Sequence, residues 1–135
     1  ILLIIYKVPL TFSIIHIIPV FIVLFVVSFG ISSILMHFGI FVEDLSNVTA
    51  IVLKLLFYLS GIFYSIVNRI PVPYNFYLVN FNPGAFFIHQ FRLILLEGQA
   101  PNYIGLSIWF VVGILLTSLG VRIIHKYENS YAKVI

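Results

Sequence analysis

Between Lys7 and Glu43 no residue is charged, and the core of that run, IIPVFIVLFVVSFGISSILM, is built mainly of Ile, Val, Leu and Phe. A helix rises about 1.5 Å per residue and a hydrocarbon core is about 30 Å thick, so about 20 such residues suffice to cross a bilayer. The run is longer than one crossing needs and too short for two crossings and a turn. It predicts one long helix over residues 11–40, tilted, kinked or prolonged past the bilayer, with Pro19 as the kink site. Composition agrees: 62% of the residues are apolar and 8% charged, against about 45–50% and about 25% in soluble domains. The expected fold class is therefore all-α, a polytopic transmembrane helical bundle.

Two further stretches fit a crossing. Residues 47–67, NVTAIVLKLLFYLSGIFYSIV, carry one charge, Lys54, close enough to the start to snorkel toward the near interface. Residues 103–121, YIGLSIWFVVGILLTSLGV, end at the charged tail of residues 122–135, which marks an aqueous side. The opening ILLIIY has no basic leader and is too short to cross before Lys7. It reads as the end of one span (1–6), with the chain as the C-terminal part of a longer protein.

The stretch from Arg69 to Arg92 is uncharged as well, but Pro71, Pro73, Asn75, Asn80, Asn82, Pro83 and Gly84 interrupt any continuous helix. It is expected not to cross. Asn82 followed by Pro83 is a helix start: the Asn side chain accepts from first-turn amides, and Pro has no amide to leave unpaired. The helix predicted from Pro83 to Glu97 and stopped by Gly98 reaches only about 22 Å. With His89, Gln90 and Arg92 on an otherwise apolar body, segment 82–98 reads as a short re-entrant or interfacial helix before the last span. Arg122, Lys126 and Lys133 against Glu128 put the tail in the cytoplasm. Segment 68–102 then lies outside, and the loop at Glu43 and Asp44 is cytoplasmic.

Several classes are excluded. There is no cysteine for a disulfide, a thiolate metal site or a nucleophile. The net charge of +3 is spread along the chain, unlike a nucleic-acid patch, so no nucleic-acid partner is expected. No glycine-rich phosphate loop occurs, and the four histidines lack metal spacing, so neither cofactor nor metal is expected in this chain. The acidic residues Glu43, Asp44, Glu97 and Glu128 are too scattered to make a convincing general-base or metal site, which disfavours a membrane acyl- or glycosyltransferase without removing it.

Some residues admit two readings. The loop at Glu43, Asp44 and Ser46, flanked by apolar Phe41, Val42 and Leu45, is either a handle for a partner or a solvated connector with a capping Asp or Ser. Arg92 either secures the short helix or meets a phosphate of a ligand, or it snorkels to the interface. Tyr58 and Tyr64 suit a sugar path, because rings stack on the C–H faces of sugars, although aromatics in such spans more often form an interfacial belt or a packed core. Gly113 and Gly120, seven apart, with Ser107, Thr117 and Ser118, read as a helix-packing face. Ser60 and Gly61 permit a local bend in the second span.

The order LLFYLSGIFYSI, a Pro-rich link, NFNPGAFFIHQFRLILLEGQAPNYIGL and a last span ending in HKYENSYAKVI resembles the C-terminal half of the type-2 ABC transporter permeases that export polysaccharides such as teichoic acid, O-antigen and capsule. The most specific element is Asn82-Pro83 with Arg92 and then Leu95, Leu96, Gly98 and Pro101. GIFVEDLSNV resembles the family's cytoplasmic loop, with Asp44 matching and Glu43 where a basic residue usually stands. The resemblance implies an ATP-driven exporter of lipid-linked polysaccharide in the bacterial plasma membrane: two permease copies forming a homodimer, and ATP-binding cassette subunits that hold the ATP and Mg. In it Glu43, Asp44 and Ser46 couple to the ATPase, while Asn82, Pro83 and Arg92 belong to an external gating re-entrant helix. The alternatives are a type-2 permease for a drug, lipid or peptide and, less favoured, an integral membrane acyl- or glycosyltransferase.

Overall fold

The computed structural model describes residues 12–62 and 66–134, and among them it is helical with no strand. A 3₁₀ turn over Phe12–His16 leads into α1, Ile17–Phe41; then follow α2 Leu45–Leu59, α3 Ile66–Arg69, α4 Tyr74–Phe81, α5 Pro83–Leu95 and α6 Tyr103–Val134. The helix of residues 12–41 and α6 are long and apolar enough to cross a membrane. Their outward faces carry large bare side chains, among them Phe25, Ile104 and Val111, a surface that lipid covers and water does not.

Pro19 does not kink the span. It stands in the first turn of α1, where an amide has no intrahelical acceptor, and it marks where the 3₁₀ turn gives way to α-helix. The helix expected over 47–67 stops at Leu59, giving α2 15 residues, a reach of about 22 Å. Gly61 adopts φ 69° and the Ser60 hydroxyl donates to Phe57 O at 2.7 Å, so the chain turns where a bend was expected. The charged tail does not leave the helix; α6 runs through it to Val134.

The bundle is organised by α1 and α6 lying side by side. Val20, Val23, Val27, Gly30 and Ser33 are the buried positions of α1, and Leu106, Gly113 and Gly120 recur every seven residues on the facing side of α6. Such spacing keeps one seam in contact along two helices. Glycine lets the backbones meet: a Cβ on Gly30 would lie 2.9 Å from Thr117 N, one on Gly113 would lie 3.0 Å from Val27 N, and one on Gly120 would lie 2.6 Å from Ser33 Cβ. In lipid, where tails are as apolar as the side chains, this close packing is what holds helices together. A hydrogen-bonded His–Tyr pair pins each end: the Tyr103 hydroxyl meets His16 Nδ1, and the Tyr131 hydroxyl meets His37 Nδ1 at 2.7 Å.

These contacts climb both helices together, from His16 with Tyr103 through Val27 with Gly113 to His37 with Tyr131. The helices are therefore parallel, and the intervening chain must come back to the end where α1 began. α2 makes that return, and residues 66–102 stay at that end.

The seam yields a test by sign. Gly30→Ala should destabilise the purified full-length protein by about 1–3 kcal/mol, since the new methyl meets backbone. Gly39→Ala, whose Cβ meets only Leu45 Cδ2 at 3.9 Å, should be neutral or stabilising by up to about 1 kcal/mol through helix propensity. Thermal unfolding in detergent, followed by circular dichroism, measures both.

Candidate functional site

At the end of the bundle where α1 and α6 begin, α4 and α5 form a helical hairpin around Asn82. The Asn82 amide closes α4 on Leu78 O at 3.3 Å, and its side-chain Oδ1 opens α5 by accepting from Gly84 N at 3.0 Å and Ala85 N at 3.4 Å. Pro83 fills the first helical position, where no amide is needed. One residue thus ends one helix and starts the next. Asn82 is buried, and its Nδ2 has no hydrogen-bond partner among the described residues. α5 runs from Pro83 to Leu95, and the turn at Gly98, φ 63°, lets Gln99 N return to Leu93 O at 2.9 Å.

The aromatic face of α5 anchors the hairpin in the bundle. Phe86 and Phe87 are buried with Val20, Val23 and Leu106, and both rings pack on Trp109. Gly105 is the reason Phe86 fits, because a Cβ there would stand 2.7 Å from the ring. Ser13 Oγ donates to Gly98 O at 2.6 Å, tying the exit of the hairpin to the start of α1.

Two polar residues on α5 fasten the neighbouring chain. Arg92 Nη2 donates to Gly61 O at 2.8 Å and Ile62 O at 2.7 Å, the carbonyls set free where α2 ends. Gln90, almost fully buried, accepts from Asn102 N at 2.7 Å through Oε1, just ahead of α6. Residues two apart lie about 200° round a helix, so one side of α5 grips the chain leaving α2 and the other grips the chain entering α6. The chain leaving α2 and the chain entering α6 are thus both held by α5.

At the opposite end of the bundle, Glu43, Asp44 and Ser46 are exposed in and beside the turn between α1 and α2. Neither Asp44 nor Ser46 caps α2 with its side chain; Asp44 Oδ1 instead accepts from Asn47 Nδ2 at 3.4 Å. Tyr58 is 70% exposed near the end of α2, its ring edge-on to Phe57. Tyr64 lies outside the described residues. The structure thus joins Asn82, Pro83 and Arg92 in one hairpin and sets Glu43, Asp44 and Ser46 a helix length away. Gln90, Asn102 and the Gly61 carbonyl were not legible as partners, since their meeting depends on the return of the chain; the one sequence signal was a glutamine inside an apolar helix. Among the described residues no three His, Cys, Asp or Glu side chains converge on a metal position.

With this geometry established, the chain was compared with known proteins. Two curated O-antigen export system permease proteins RfbA from Klebsiella pneumoniae are each 30% identical to it over 108 residues, 80% of this chain and 40% of the relative. The chain thus spans about two fifths of the length of the curated relatives it matches. No protein-family model matches it, and no solved structure matches it.

The cap separates two functions of one side chain. Asn82→Ala should cost about 1 kcal/mol of stability, while Asn82→Ser, which keeps an acceptor and drops the unpartnered Nδ2, should cost under about 0.5 kcal/mol. Denaturant titration of the detergent-solubilised protein reads the difference.

Proposed function

We propose, for a chain 30% identical over 108 residues to O-antigen export system permease proteins, that it is part of the membrane-embedded permease of an ATP-driven exporter of lipid-linked polysaccharide. It acts as a homodimer in the bacterial plasma membrane, with the α1–α2 turn and the end of α6 in the cytoplasm. ATP and Mg are held by a separate ATP-binding cassette subunit. The observation that carries this reading is the hairpin fastened by Gln90 and Arg92 at one end of a parallel helix pair, with an exposed acidic turn at the other.

The geometry supports a lever. α1 and α6 are locked along their length, whereas α2 buries none of its residues and is free to shift against them. Its start carries Ser46 and follows directly on the turn with Glu43 and Asp44, and a cytoplasmic ATPase engages these three residues. The chain leaving it is bonded to α5 through Arg92 at Gly61 and Ile62. A push on the turn travels along about 22 Å of helix and pulls the Asn82–Pro83 hairpin, which gates the exit. Tyr58 on the lever offers a ring for weak, repeated sugar contacts.

The decisive experiment co-purifies the full-length permease with a candidate ATP-binding subunit and asks whether lipid-linked glycan stimulates ATP hydrolysis. Stimulation is the expected result. Co-purification with no glycan effect overturns the polysaccharide assignment in favour of a permease for a drug, lipid or peptide. Within this assay Asp44→Lys should lower glycan-stimulated hydrolysis by about tenfold, the equivalent of one lost charged contact of about 1.4 kcal/mol. Arg92→Ala should leave the permease–ATPase complex intact on size exclusion and uncouple hydrolysis from export of labelled glycan.

A further inference from the structure

Between α4 and α5, and closed on one side by the chain entering α6, lies a cleft of about 300 Å³. Its lining differs from the rest of this apolar molecule. Four carboxamide residues line it, Asn75, Asn80, Gln90 and Asn102, together with His89 and Phe76; Val79 and Leu93 complete it. We propose that this cleft is a binding site for a single uncharged sugar ring.

The chemistry of the lining selects the ligand class. Among the described residues no Lys, Arg, Asp or Glu lines the cleft and His89 is its one titratable side chain, so no fixed charge there pairs with a phosphate or a cation. An acyl chain would strip water from the amides of Asn75, Asn80 and Asn102, none of which is buried, and return no hydrogen bond, a cost of about 1–3 kcal/mol for each. A sugar hydroxyl both donates and accepts, as a carboxamide does through its two halves. Phe76, 60% exposed, offers a face for the C–H side of the ring. The volume sits at the lower end of the range for small-molecule sites, about 300–1,000 Å³, which suits one ring and not a long segment.

The amides are also held in place. Asn80 Nδ2 donates to Phe76 O at 2.8 Å, Gln90 Oε1 accepts from Asn102 N at 2.7 Å, and Asn102 Oδ1 accepts from Gly105 N at 3.1 Å. Each bond uses one half of the amide and fixes its plane, so the other half is presented in a set direction. Because Gln90 and Asn102 also fasten the hairpin to α6, a ring bound here touches the hairpin and the span together. The proposal rests on the exporter reading only for where a glycan comes from; the lining itself chooses an uncharged polyol.

The test uses the full-length permease in nanodiscs and saturation-transfer NMR, with maltotetraose, mannotetraose and galactotetraose as neutral probes and inorganic pyrophosphate as the charged comparator. The expected result is transfer to at least one neutral sugar, none to pyrophosphate, and about a tenfold weaker affinity in Asn80→Leu, the loss of about one hydrogen bond. Absence of transfer to every sugar, transfer to pyrophosphate, or unchanged affinity in Asn80→Leu overturns the site. A second measurement does not depend on that variant folding. A photo-reactive benzophenone placed at position 76 should cross-link a tetrasaccharide, while one at Phe25 on the bare face of α1 should not; equal labelling overturns the site. The two proposals fail separately: sugar binding here without glycan-stimulated hydrolysis strikes the exporter reading alone, and stimulated hydrolysis with an empty cleft strikes this site alone.

Discussion

Everything in this bundle depends on two backbones lying close together in parallel. Glycine at positions 30, 113 and 120 removes the side chains that would hold α1 and α6 apart, and in a medium without hydrophobic drive that proximity is the source of cohesion. Direction follows from it. Parallel neighbours require that the connecting chain return to its starting end, and one helix, α2, makes the return. The remaining 40 or so residues ahead of α6 then have to be accommodated at a single end of the bundle, and a helical hairpin satisfies their backbone polar groups locally as an apolar surrounding demands.

The hairpin is secured by polar groups where lipid makes such groups expensive. Arg92 covers two carbonyls that the turn at Gly61 releases, Gln90 covers an amide ahead of α6, and Asn82 serves both the end of α4 and the start of α5. Each bond removes a backbone group that would otherwise stay unsatisfied at a cost of about 1–3 kcal/mol. The same bonds transmit displacement, because a low-dielectric surrounding offers the freed groups no water as a substitute partner. Rigidity is thus unevenly distributed, with a locked α1–α6 pair and a less supported α2 joined to the hairpin at one point.

Much of this was legible in the sequence. The charge-free runs fixed an all-α membrane bundle, and Asn82-Pro83 marked the start of α5, with a stop at Gly98, because capping is local chemistry that reads out within a few residues. The packing role of Gly113 and Gly120 was visible in their spacing. Pro19 misled: proline disrupts a helix only from the second turn onward, and whether it stands in the first turn depends on where the preceding 3₁₀ segment ends. The end of α2 was also placed too late, since the run of apolar residues continues past Gly61 and hydropathy does not register a change of φ sign.

The sequence by itself determined which segments prefer lipid, where helices are capped and which faces are small, all properties of neighbours in the chain. Only the tertiary structure decided that α1 and α6 are parallel, that Gly30 and Ser33 are the partners of Gly113 and Gly120, and that Arg92 and Gln90 reach backbone rather than carboxylate or solvent. The physical reason is that these contacts join residues 12 to 94 positions apart. Their energies exist only once the chain has returned to the same end, and no local pattern encodes that return.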